Sequence, residues 1–167
     1  MNSILVIDDD DEVRSVVVTA LAQSGFSVRE AKDGRVGIQM ILAEKPDLII
    51  CDVRMPSMDG FRTLSAIRKF PATAAIPLIL MSGSDTLGRD NFRRGMASGA
   101  DDFLLKPFTP SELIEAVESR LARQKEFQTD AWRKHDNNAI QQFSQGQPAA
   151  INGVWEAIPY IRKRMRV

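Results

Sequence analysis

One cysteine, one histidine and one tyrosine are all that 167 residues hold of each. A single thiol, Cys51, cannot close an intrachain disulfide, so a cross-linked scaffold is excluded and a reducing compartment is expected. Cys51 reads instead as a small buried strand residue. The lone His135, set among Lys134, Asp136 and Asn137, reads as a solvated side chain rather than a metal or phosphorelay site. No apolar run is long enough to cross a bilayer and no signal peptide is recognisable, so a cytoplasmic protein without a membrane partner is expected. Net charge is missing too, with 22 Lys and Arg against 22 Asp and Glu. The balance hides an asymmetry: residues 1–121 carry 14 basic and 18 acidic residues, and residues 122–167 carry 8 and 4. A basic excess of that size is small for nucleic-acid recognition, so DNA is not expected as a partner.

What is present suits a soluble globular domain, with 44% apolar and 26% charged residues, and the length allows one domain plus an extension. The chain is organised around Ile49-Ile50-Cys51-Asp52, an apolar run that stops at an aspartate before Val53-Arg54-Met55-Pro56 turns away. Three more runs stop in the same manner. Ile4 to Ile7 ends at Asp8-Asp9-Asp10-Asp11, Ile79 to Met81 at Ser82-Gly83, and Phe103 to Leu105 at Lys106-Pro107. The carboxyl edge of an open α/β sheet is where ligands bind. The pattern therefore gathers carboxylates, a hydroxyl and an amine around one crevice.

Helical periods fill the intervals. Val13, Val16, Val17, Ala20 and Leu21 recur at helical spacing before Gly25, and Val36, Ile38, Met40, Ile41 and Leu42 follow the Asp33-Gly34 turn. Phe61, Leu64 and Ile67 mark a third helix, which Pro71 blocks. Residues 84–98 predict an irregular, glycine-containing helix. Thr109-Pro110-Ser111-Glu112 has the form of a capping box, opening a long helix whose Leu113, Val117 and Leu121 face the body. Strands are expected at Ser3–Ile7, Phe26–Glu30, Leu48–Cys51, Ile76–Met81 and Asp101–Leu105. Alternating strands and helices imply a parallel, doubly wound α/β sheet.

Taken in order, Asp8-Asp9, Asp52, Ser82 and Lys106-Pro107 give residues 1–121 a close resemblance to the receiver domain of two-component response regulators, the CheY-like family. The resemblance implies a five-stranded flavodoxin-like sheet in the order 2-1-3-4-5. It also implies that Asp52 accepts a phosphoryl group from a sensor histidine kinase or phosphotransfer protein. Mg²⁺ is then bound by Asp9, Asp52 and the backbone carbonyl of Arg54, with Asp8 acting through water. A divalent cation suits such a cluster on general grounds, since two carboxylates about 4 Å apart repel by roughly 4 kcal/mol at an effective dielectric near 20. By the same resemblance Lys106 and Ser82 hold phosphoryl oxygens, the Lys106–Pro107 bond is cis, and the ring of Phe103 moves with Ser82 as the switch. Phe stands where the family often has Tyr, which leaves packing alone to carry the signal. Such a protein is not an enzyme beyond catalysing its own phosphorylation and dephosphorylation.

Two departures stand out. The stretch from Ser82 to Lys106 is about two residues longer than is usual in the family, and Arg54 and Ser84 occupy variable flanking positions. Residues 122–167 resemble no output domain. They read as a continuation of the last helix to Phe143, a break at Ser144-Gln145-Gly146-Gln147-Pro148, and a short segment with Trp155, Ile158, Tyr160 and Ile161 ahead of a basic end. Output through an unidentified downstream protein or a second copy of the chain is expected. The alternatives are a receiver fragment of a larger regulator or, from the Asp-x-Asp at Asp8–Asp10, an Mg²⁺-dependent aspartyl-phosphate phosphatase of the haloacid-dehalogenase type, in which the first aspartate is the nucleophile. A flavodoxin-like cofactor binder is disfavoured, because four aspartates replace the phosphate loop it requires.

Overall fold

The computed structural model describes residues 1–83, 93 and 95–144. Its backbone divides into two units, Met1–Gln124 and Lys125–Val167. The first contains strands β1 (Ser3–Ile7), β2 (Ser27–Ala31), β3 (Leu48–Asp52), β4 (Leu78–Gly83) and β5 (Asp102–Lys106), with helices α1 (Asp11–Gln23), α2 (Gly34–Ala43) and α3 (Gly60–Lys69) between them. Helix α4 (Pro110–Ser144) follows β5, and its residues from Lys125 onward belong to the second unit. All strand pairs are parallel and run in the order β2-β1-β3-β4-β5. This is the doubly wound, flavodoxin-like arrangement.

Alternation along the strands explains why helices cover both faces. Leu5, Ile7, Ile49, Cys51, Leu78 and Leu80 point to one side, where Ile41 of α2 and Phe61, Leu64 and Ile67 of α3 meet them. Ile4, Val6, Leu48, Ile50, Ile79 and Met81 point to the other, against Val17 and Leu21 of α1 and Leu113, Val117 and Leu121 of α4. Every residue of β3 is buried, the pattern of a strand enclosed on both faces. Each fully buried Leu or Ile side chain contributes about 1.5–3 kcal/mol relative to exposure.

Short polar side chains start the helices. Asp10 accepts hydrogen bonds from the amides of Glu12 (2.9 Å) and Val13 (3.1 Å), and Asp33 accepts from Arg35 and Val36. Asp59 accepts from Arg62 at 2.7 Å. Thr109 and Glu112 form the reciprocal pair of a capping box, at 2.7 Å and 3.3 Å, satisfying amides that a helix start leaves unpaired. Gly25, at φ 86°, takes the left-handed conformation that ends α1, which costs glycine little.

Several expectations are corrected. Strand β4 runs Leu78–Gly83 rather than Ile76–Met81. Pro77 has no amide to donate and serves only through its carbonyl, to Ile49, so the strand begins after it. β2 and β5 begin and end one residue later than expected. Val16 and Leu42 lie outside the apolar stripes, 63% and 60% exposed. Of the helix expected over 84–98, residues 84–92 and 94 lie outside the described residues, while 93 and 95–97 are helical. The expectations for Ser84, the His135 side chain and residues 145–167 also lie outside the described residues.

Candidate functional site

Three strand ends converge. Asp8 directly follows β1, Asp52 closes β3, and Ser82 lies within β4, in register with Leu105 next to Lys106. A cavity of about 230 Å³ opens there, lined by Asp8, Asp9, Asp52, Arg54, Ser82 and Lys106 among others. Phe103 and Pro107 are not part of its lining. The volume corresponds to several waters at roughly 30 Å³ each, enough for a hydrated cation beside a phosphoryl group.

Lys106 organises the carboxylates. Its ammonium donates to Asp8 Oδ2 at 2.8 Å and to Asp52 Oδ1 at 2.6 Å. The second oxygen of each is also engaged: Asp8 Oδ1 accepts the Asp10 amide at 2.9 Å, and Asp52 Oδ2 accepts the Arg54 amide at 2.6 Å. Asp8 is 1% and Asp52 7% exposed, whereas Asp9 is open to solvent. Burial pushes the Asp52 carboxyl above the ordinary carboxylate range, and Asp8 adds to the rise. The bond and charge of Lys106 and the Arg54 amide pull against it. For Lys106, desolvation alone would lower the ammonium pKa, but its bonds and charges with Asp52 and Asp8 outweigh that, and the pKa is raised.

Ser82 is 2% exposed, and its hydroxyl lies 3.4 Å from the carbonyl of Gly83, to which it donates. The Lys106–Pro107 peptide is cis. The partly buried ring of Phe103 packs on Gly95 so closely that a Cβ at that glycine would overlap it. Buried Cys51 has its thiol pKa pushed far up by desolvation, then by the charge of Asp52, which makes it inert. Among the described residues no group of three or more His, Cys, Asp or Glu side chains forms a ready metal cage. Mg²⁺ does not need one, since it keeps several waters and takes one or two carboxylates. Two buried carboxylates share one ammonium, with exposed Asp9 beside them, so the donor set fits a hard divalent cation.

Two contributors escape a sequence reading. Gly60, at the start of α3, approaches the Asp52 carbonyl so closely that any Cβ would collide with it, and its amide donates to Val53 at 3.0 Å. Its only sequence signal is the Asp59-Gly60 pair. Arg14, on α1, donates to the Asp8 carbonyl at 2.8 Å; nothing in its local sequence marks it out.

The fold and cavity thus define a doubly wound α/β domain with an acidic, lysine-bridged pocket at its carboxyl edge. The chain belongs to the response regulator receiver domain family, whose model matches residues 4–118. Curated relatives of this domain are regulatory proteins. Transcriptional regulatory protein GltR of Pseudomonas aeruginosa is 38% identical over 123 residues, covering 72% of this chain and 49% of GltR. PrrA of Mycobacterium tuberculosis, also a transcriptional regulatory protein, is 31% identical over 151 residues, 90% of this chain and 63% of PrrA. The chain therefore spans about half to two thirds of the length of these relatives. Among solved structures, chemotaxis protein CheY4 of Vibrio cholerae superposes with a TM-score of 0.68 at 31% identity, covering 72% of this chain and 98% of CheY4. A response regulator receiver domain protein from Clostridium thermocellum gives 0.70 at 29% identity, covering 76% and 99%. Among the described residues no helix is long and apolar enough to cross a membrane.

Proposed function

We propose that residues 1–121 are a phosphorylation-controlled switch with Asp52 as phosphoacceptor, and that residues 122–167 are an extension through which, or beside which, the signal leaves. The observation that carries this is the pair of buried carboxylates, Asp8 and Asp52, bridged by Lys106 at the carboxyl end of the central strands. Asp52 Oδ1 or Oδ2 attacks phosphorus in line. The bond from phosphorus to a donor histidine nitrogen breaks, its electron pair remains on the imidazole, and an acyl phosphate forms on Asp52. A raised carboxyl pKa makes Asp52 the more basic nucleophile. Lys106 then shifts its donors from the carboxylate to a phosphoryl oxygen, and Ser82 donates to another. Mg²⁺, when bound, neutralises charge on the transferring group. Asp9, Asp52 and the Arg54 carbonyl would hold it, with Asp8 acting through water.

Packing of Phe103 against Gly95 gives the switch its readout, since movement of Ser82 alters the space the ring can occupy. The kinase or phosphotransfer donor acts in the cytoplasm, and the output is contact with a downstream protein or a second copy of the chain. The names of GltR and PrrA refer to transcription, but the chain spans only part of each, and DNA is left out of this proposal.

The test is intact mass of the full chain after incubation with acetyl phosphate and Mg²⁺. One added phosphoryl group is expected, absent from Asp52→Asn and from samples with chelator, and retained in part by Asp8→Asn. Loss in Asp8→Asn with retention in Asp52→Asn would transfer the acceptor role to Asp8 and favour the phosphatase reading.

A further inference from the structure

Asp9 and Asp10 are both exposed carboxylates lining the pocket, and the direction of Asp9 depends on the backbone on either side of it. On the far side, Asp10 is fixed as the cap of α1. On the near side, Asp8 is fixed twice through its backbone: its amide donates to the Ala31 carbonyl at 3.1 Å, and its carbonyl accepts from Arg14 Nη1 at 2.8 Å. Arg14 is itself braced. Its Nε donates to Glu30 Oε2 at 3.1 Å, its Nη2 pairs with Asp11, and its side chain is only 14% exposed. Three nitrogens of one planar group thus tie α1 and β2 to the carbonyl of Asp8, just past β1. A lysine has no such fork.

We infer that Arg14 is a positioning residue for phosphoryl transfer, which holds the Asp8 carbonyl and thereby aims the Asp9 carboxylate at the bound cation. The inference rests on the Asp52 phosphoacceptor reading. Charge and geometry make opposite demands here, so the sign of the effect is informative. An arginine acting only as a nearby positive charge would weaken cation binding, and its removal would tighten it. A positioning arginine strengthens binding, and its removal loosens it.

The experiment uses the full chain with Mg²⁺ as the metal, measuring Mg²⁺ affinity by calorimetry and the Mg²⁺ dependence of acetyl phosphate labelling by intact mass. Outer contacts that orient ligands are commonly worth about 10-fold to 100-fold in metal affinity. Arg14→Ala is expected to raise the Mg²⁺ dissociation constant and the half-saturating Mg²⁺ for labelling by about 10-fold, with labelling at saturating Mg²⁺ within about twofold of the parent. Arg14→Lys, which keeps the charge and loses the fork, is expected to recover only part of the loss, and Glu30→Gln to show a smaller change of the same sign. A merely structural role would lower thermal stability without moving the half-saturation point. An unchanged or tighter Mg²⁺ affinity in Arg14→Ala overturns the inference. If that variant does not fold, unchanged affinity in both Arg14→Lys and Glu30→Gln overturns it. Absence of labelling in the parent chain refutes the Asp52 reading instead, and the calorimetric comparison still decides the role of Arg14.

Discussion

Replacing Lys106 by Met removes the cation that, among the described residues, is bonded to both buried carboxylates of the pocket, and keeps most of the side-chain volume. Each ion pair, at 2.6 Å and 2.8 Å, has a gross attraction of roughly 6 kcal/mol at an effective dielectric near 20. Desolvation offsets most of that, and the quantity that matters is the cost of leaving Asp8 and Asp52 buried without a counter-charge. Breaking one side of a buried pair costs about 3–5 kcal/mol. The side chain of Lys106 retains 23% exposure and that of Asp52 9%, so the lower end applies, about 3 kcal/mol or a Tm lower by roughly 10 °C in chelator. Mg²⁺ should then raise the Tm of Lys106→Met more than that of the parent, because it no longer competes with an ammonium for the same oxygens. Each tenfold gain in affinity adds about 1.4 kcal/mol of stabilisation at saturating metal. Thermal melts of both proteins across a Mg²⁺ series make the comparison. Equal stability in chelator, or equal Mg²⁺ increments in the two proteins, would refute the idea that lysine and metal serve as alternative counter-ions.

Other outcomes follow from the same geometry. Gly60→Ala places a methyl on the Asp52 carbonyl. It should cost about 1–3 kcal/mol in chemical denaturation and slow acetyl phosphate labelling, whereas Gly25→Ala, with open space around it, should leave labelling unchanged. The raised pKa of Lys106 means that its contribution to stability is complete below the unfolded value of 10.5 and is lost as pH rises through the higher folded value. Urea melts should therefore show an alkaline decline above about pH 10.5 that is absent from Lys106→Met. Arg68 donates to the carbonyls of Gly99 and Ile76, both at 2.9 Å, and to Asp101 at 2.8 Å. Its truncation to Ala should cost about 2–4 kcal/mol by leaving those acceptors without their donor.

The strand-end pattern made the sheet and its pocket legible because one physical rule governs both. Runs such as Leu48 to Cys51 are apolar throughout because helices cover both faces, and the polar residue that stops each run must lie at an edge. The order of the strands was a matter of resemblance, since right-handed crossovers alone leave more than one winding. Periodicity misplaced Val16 and Leu42, because a hydrophobic residue one step off a helical stripe looks, in sequence, like part of a wider one. Pro77 shifted β4 through a missing donor, a signal visible in the sequence but outweighed by the apolar Ile76. The two hydrogen bonds of Lys106 to Asp8 and Asp52 span separations that no local pattern encodes and exist only once the strands are side by side. The approach of Gly60 to the Asp52 carbonyl and the grip of Arg14 on Asp8 depend instead on how each helix folds back on the strand before it.

The arginine clamp at Gly99 and Asp101 bears on how this lineage can vary. β4 is anchored at Gly83 by its pairing with Lys106, and the chain before β5 is anchored by Arg68 and by the Leu78 amide on Asp101. Residues added between two such abutments change the span without displacing either end, and doubling a loop's length costs only about 0.6 kcal/mol. The stretch from Ser82 to Lys106, expected from the sequence to be about two residues longer than is usual in the family, includes that span. A change of length there would therefore cost little, and the bonds that hold Asp8, Asp52 and Lys106 together lie outside it.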